Sequence, residues 1–144
     1  MSESKAVSKK SQKLREELAA YQASEIVANA PVENGLRVIV RAWKDRDRDF
    51  VKLLASRAAS TAPSTVVFFC AEDADPVRVF LARSADLKFN SGAILKEALG
   101  AIGLRGGGSP DLAQGEVPAH HEPQLRASIL DGVRRAINEP GAAR

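Results

Sequence analysis

Three consecutive glycines, Gly106, Gly107 and Gly108, stand inside the segment LRGGGSPDLAQG at positions 104–115. Where side chains are absent the backbone is left to do the chemistry. Successive glycines tolerate φ > 0, and N–H groups gathered into a concave nest meet an anionic oxygen that no Cβ holds away. Phosphate suits such a nest, with Arg105 beside it and Lys96 one helix earlier to add charge. The same triplet also reads as a tight turn between a helix end and a buried strand, where no side chain has room. A Walker A loop is excluded, because Ser109 and Pro110 follow where Gly-Lys-Ser/Thr is required. So is a dinucleotide fingerprint, which follows a strand and opens a helix, whereas this triplet follows a helix.

A second cluster lies in WKDRDRDF, with Lys44, Arg46 and Arg48, and Lys52 just beyond. Its acids at 45, 47 and 49 resemble the start of a calcium loop. Phe50 occupies the position that needs glycine and Ser56 the one that needs Glu, so the run reads as a helix cap on a solvated face. Trp43, next to Lys44, would stack on a base or end a strand as core. His120 and His121 are adjacent, a poor metal spacing without cysteine or further histidine nearby. Cys70, inside an apolar run, reads as buried core. No Ser, His and acid grouping forms a triad. The residues point to no catalytic centre, no metal and no cofactor.

These groups must be positioned by one domain, since 144 residues with 44% hydrophobic content sustain a single core. No apolar run approaches the roughly 20 residues of a membrane span. No apolar stretch follows the basic, Ser-containing start, and the lone cysteine forms no internal disulfide; a cytoplasmic chain with no membrane partner is expected. A formal charge of +3 is modest, yet 21 Lys and Arg leave room for a locally basic face.

The pattern predicts a long helix over 8–28, rich in Lys, Glu, Leu and Ala. Val7, Leu14, Leu18 and Tyr21 fall on it at coiled-coil spacing, so Leu14, Leu18 and Tyr21 are candidates for dimerisation, the alternative being a helix laid on its own domain. Pro31 and Gly35 break it. Strands follow at 36–42, 65–71 and 77–84, with a helix over 47–60 capped by Asp45 or Asp47. A helix over 89–103 takes Asn90 or Ser91 as N-cap and Gly103 as its C′ residue. SPDLAQGEV is a loop running into a short strand, and 122–137 a final helix. The expected fold is α/β: a mixed, mostly parallel small sheet flanked by helices and preceded by a long N-terminal helix, divided into 1–34 and 35–144.

Residues 79–115, VFLARSADLKFNSGAILKEALGAIGLRGGGSPDLAQG, resemble the DHH-associated domain that forms the C-terminal part of alanyl-tRNA synthetases. In that family a strand and small-residue turn lead to a helix beginning near "AG", here Ser91-Gly92, then to GGG, a variable residue and PDMAQ. This chain has GGGSPDLAQ, with Leu112 for Met and Ser109 where synthetases commonly place Arg or Lys. The order of elements extends the resemblance over nearly the whole chain.

The resemblance implies binding to the elbow of tRNA, tRNA-Ala in the first instance, through Lys and Arg with Gly106 to Ser109, and dimerisation through the preceding helix. Arg105, Lys96 and Lys88 with the glycines form one candidate patch; Lys44, Arg46, Arg48 and Lys52 form another. In related DHH phosphoesterases the glycine motif ends in a histidine that helps hold phosphate; Ser109 replaces it here. Neither the Asp-His-His cluster of those enzymes nor a synthetase's zinc-binding His and Cys set is present. Three readings follow: a non-catalytic tRNA-binding accessory to an alanine-tRNA ligase, the substrate domain of a split phosphoesterase working with a separate catalytic chain, or a dimerising module without RNA binding.

Overall fold

The computed structural model of the chain describes residues 2–33 and 35–138; Met1, Asn34 and residues 139–144 lie outside the described residues, as do the side chains of 2–9, Val7 included, and of Asn138. In chain order the elements are α1 (Ser2–Asn29), β1 (Arg37–Trp43), α2 (Arg48–Thr61), β2 (Thr65–Ala71), β3 (Val77–Arg83), α3 (Ser91–Gly100), β4 (Gly106–Gly108), β5 (Leu112–Val117), one 3-10 turn (Ala119–His121) and α4 (Glu122–Asn138).

β2 is the axis of the molecule. Its unbroken apolar run TVVFFCA is buried at every position, as a strand covered on both faces requires. Alternate side chains divide between two cores. Val67, Phe69 and Ala71 pack with Phe80, Val51, Leu54 and Ala58 beneath α1 and α2. Val66, Phe68 and Cys70 pack with Leu81, Leu95, Leu99 and Ile129 beneath α3 and α4. Each such Leu, Phe or Val contributes roughly 1.5–3 kcal/mol by leaving water.

The sheet order is β1-β2-β3-β5-β4. The β1–β2 pair is parallel; β2–β3, β3–β5 and β5–β4 are antiparallel. The mixed α/β sheet is therefore as expected, but mostly antiparallel rather than mostly parallel. The reason lies in the second crossover. The chain from β3 through α3 does return a strand running in the direction of β3, but that strand is β4, and β5 inserts between the two, converting one parallel pair into two antiparallel ones.

Local signals placed the helices. Asp47 caps α2, its carboxylate accepting the Phe50 N–H at 2.7 Å, and Asn90 caps α3, accepting the Ala93 N–H at 3.0 Å. α3 closes as a Schellman motif: Gly103, at φ +79°, donates to Gly100 O at 3.1 Å while Leu104 N–H reaches Leu99 O at 2.8 Å.

α1 lies on its own domain through Ala19, Ala23 and Val27, buried against α2 at spacings of four. Leu14, Leu18 and Tyr21 face the other way and are 63%, 47% and 69% exposed. Among the described residues no helix is long and apolar enough to cross a membrane.

Candidate nucleic-acid interface

The glycine triplet is neither a nest nor a turn. It is the edge strand β4, pairing Gly106 with Gly115, Gly107 with Gln114 and Gly108 with Ala113. A nest needs alternating αR and αL backbone, whereas Gly107 and Gly108 are extended at φ +153° and +158°, a region that L side chains rarely adopt. Close approach of α3 is the second reason for glycine. A Cβ on Gly92 would strike Gly108 O, and one on Gly106 would strike Leu99 Cδ1; on Gly108 it would come within 2.5 Å of Leu112 O. Glycine here lets a helix and a sheet edge touch through their backbones.

The start of α3 is closed to ligands by the same loop. Ser91 N–H donates to Pro110 O at 2.9 Å and Gly92 N–H to Ser109 O at 3.1 Å, while Asn90 takes Ala93 N–H. The loop offers that helix its carbonyls. Ser109 in turn is held within the turn: its hydroxyl donates to Asp111 Oδ1 at 2.6 Å and accepts Leu112 N–H at 3.2 Å. That hydroxyl holds the Asp111 carboxyl below its usual range.

β4 is the edge strand of the sheet, and α3 meets that edge where Gly92 abuts Gly108 O, leaving the Gly106 end for an anion. Ser109 N–H reaches Leu112 O at 3.0 Å, so the antiparallel alternation makes Gly107 and Gln114 the next hydrogen-bonded pair. The N–H groups of Gly106 and Gly108 then point away from β5, roughly 7 Å apart. Lys96 lies beside them, its Cβ 4.0 Å from the position a Gly107 Cβ would take. Arg105 precedes the strand and is exposed, as is Lys88 in the loop before α3. Among the described residues none of Lys88, Lys96 and Arg105 forms a salt bridge.

The second cluster sits at the other end of the molecule's electrostatics. Arg46 pairs with Asp45 at 3.0 Å and lies over the Phe50 ring, and Arg48 pairs with Glu116 at 3.7 Å. Asp47 binds Arg15 at 2.9 Å, and the Phe50 amide followed by Arg15 holds its carboxyl below the usual range. Lys44 and Lys52 are exposed. Trp43 is half-buried and meets Phe69 edge-on at 5.0 Å, the core role. The calcium-like run thus resolves into one cap and three ion pairs. His120 and His121 lie tilted against each other in the 3-10 turn, and among the described residues no group of three His, Cys, Asp or Glu could hold a metal. Cys70 is buried with its thiol 3.7 Å from Glu122 Oε1; burial first, then the Glu122 charge, pushes it up, so it stays protonated and unreactive.

Sequence reasoning missed the edge strand, the closure of α3 by residues 109–110, and Arg15, which joins α1 to the cap of α2. Glycine carries no strand signal, and the Arg15 contact spans two elements with no local trace.

A family model described as the DHHA1 domain matches residues 35–139. The chain is 34% identical over 114 residues to alanine–tRNA ligase from Methanococcoides burtonii and 27% identical over 108 residues to alanine–tRNA ligase from Idiomarina loihiensis. These alignments take in 77% and 74% of the chain but only 12% of each ligase. Among solved structures it is similar to the C-Ala domain of Aquifex aeolicus alanyl-tRNA synthetase, at TM-score 0.57 and 20% identity over 73% of this chain and 93% of that one. It is similar also to RecJ from Thermus thermophilus, solved with Mg2+, at TM-score 0.61 and 18% identity over 85% of this chain and 18% of that one.

Proposed function

The chain belongs to the DHHA1 domain family, and on that premise we propose that it is a non-catalytic, cytoplasmic tRNA-binding domain, acting as the C-terminal part of an alanine–tRNA ligase or as its free-standing relative. The observation that carries this reading is the uncompensated charge at the glycine edge. Lys96 and Arg105 stand without carboxylate partners among the described residues, beside the edge strand β4, and Lys88 is likewise unpaired in the loop before α3. Phosphate contacts from such cations dominate RNA affinity and make it depend on salt. Identity to two alanine–tRNA ligases supports tRNA, tRNA-Ala first, over other nucleic acids.

Leu14, Leu18 and Tyr21, exposed along one side of α1, are the surface through which we propose two copies associate. The phosphoesterase reading is disfavoured by Ser109, whose hydroxyl is spent on its own turn.

Electrophoretic mobility shift with tRNA-Ala, a non-cognate tRNA and a five-nucleotide oligomer, at two salt concentrations, tests the proposal. A shift of tRNA that weakens as salt rises is expected. Absence of any tRNA shift near physiological salt would sink it, and preference for the oligomer would favour the phosphoesterase reading.

A further inference from the structure

On the α2 face of the sheet, α2 packs over β2 and β3 and leaves part of β5 uncovered. Along β5 the residues divide cleanly: Ala113, Gly115 and Val117 are buried beneath α3 and α4, while Leu112 and Gln114 are half-buried and Glu116 is exposed on the opposite face. Where α1 and α2 approach this strip they leave an open surface cavity of about 370 Å³. Its floor is apolar, made by Leu53 and Leu112, both half-buried. Its rim is polar, made by Gln12, Arg15, Asp49, Lys52 and Ser56.

We infer that this cavity takes one unstacked nucleotide of single-stranded RNA, an inference that rests on the tRNA-binding reading above. A base needs an apolar surface for its faces and both donors and acceptors for its edge, and its phosphate needs a cation. Leu53 and Leu112 supply the surface; Gln12 and Ser56 supply donor and acceptor groups. Lys52, which forms no salt bridge among the described residues, supplies the cation, whereas Arg15 is already committed to Asp47. Asp49, on the same rim, repels a second phosphate and accepts from an exocyclic amine. The volume lies near the lower end of the roughly 300–1,000 Å³ of small-ligand sites, the scale of one nucleotide. Leu112 belongs to the PDLAQ segment, which gives that segment a surface role separate from the glycines that precede it.

Fluorescence anisotropy of the full chain tests this with a fluorescein-labelled, unstructured octaribonucleotide, the same strand annealed to its complement, and tRNA. The single strand is expected to bind about tenfold tighter than the duplex, because only an unpaired base can lay its face on Leu53 and Leu112. Ser56→Phe, at an exposed helix position, fills the cavity and should lower single-strand affinity about fivefold with an unchanged melting temperature. Lys52→Ala should lower it about threefold and reduce the log–log salt slope by roughly 0.7. Equal binding of strand and duplex, or Ser56→Phe and Lys52→Ala both without effect, overturns the inference while intact tRNA binding leaves the proposed function standing. A wild-type chain that binds neither RNA overturns both.

Discussion

The two basic clusters look alike in sequence and differ in the fold. Arg46 and Arg48 are tied to Asp45 and Glu116, and Asp47 draws Arg15 into the same neighbourhood. Lys88, Lys96 and Arg105 have no such partners among the described residues. An arginine already hydrogen-bonded to a carboxylate must break that contact to meet a phosphate, and its local field is largely cancelled before the nucleic acid arrives. A lysine with only water around it does neither. Charge counted along the chain therefore overstates the first of these regions, where only Lys44 and Lys52 are left without a carboxylate partner among the described residues.

The most disruptive way to test the comparison is to remove the support of the free cluster. Gly92→Ala drives a methyl group into Gly108 O, a backbone atom that cannot swing aside. A loss of about 3 kcal/mol in chemical denaturation is expected, as for overpacking of a close backbone contact. Nucleic-acid binding should fall with it. A stability change below about 0.5 kcal/mol, within the range of an ordinary surface substitution, would mean that α3 and β4 are not held as closely as described.

Next in size is the charge itself. Lys96→Ala with Arg105→Ala should lower tRNA affinity about tenfold and reduce the salt slope by roughly 2, one for each phosphate that the variant no longer neutralises. Arg46→Ala with Asp45→Ala should change affinity less than about twofold, because the ion pair removed carries no net charge. Titrations at several salt concentrations read both. Equal losses from the two pairs would erase the distinction between the clusters.

The paired region makes its own prediction, in stability. Asp47→Ala removes the cap of α2 and should cost about 1 kcal/mol. Asp47→Asn keeps a capping oxygen and loses only the Arg15 pair, so its cost at neutral pH should be smaller. The sign with pH follows from the lowered carboxyl of Asp47. Its contribution is fully present above the unfolded value near ~3.9 and disappears as pH falls through the lower folded value. Wild type and Asp47→Asn should thus converge in acid denaturation curves measured under mild urea.

How much of this was legible beforehand depended on whether a signal was local. The apolar run of β2 announced a strand buried on both faces, and Asp47, Asn90 and Gly103 announced helix ends, because caps act within a few residues. β4 was silent, since glycine is among the residues least expected in strands. It forms one only because α3 and β5 define a slot with no room for side chains. With β4 unseen, β5 could not be inserted beside β3, and the sheet was expected to be mostly parallel. The ion pair of Arg48 joins α2 to β5 and depends on that same unseen topology. Lys96, Arg105 and Lys88 were legible as cations, but their lack of partners became visible only once every nearby acid had a place.

Ser109 offers the smallest effect and the finest discrimination. Ser109→Arg adds a cation at the β4 edge, which alone should strengthen tRNA binding by about threefold at low salt, the scale of one further phosphate contact. It also removes the hydroxyl that binds Asp111 and receives the Leu112 N–H. Losing those bonds should cost about 1 kcal/mol of stability, and the freed Asp111 carboxylate, two residues away, would partly neutralise the new arginine. The single variant should therefore gain little affinity while melting lower. Adding Asp111→Asn removes the competing charge, so Ser109→Arg/Asp111→Asn should show the larger gain, with a steeper salt dependence than wild type. If Ser109→Arg alone already binds about threefold tighter at unchanged stability, the serine is not holding the turn. If the double variant binds no better than wild type, RNA does not approach along the β4 edge.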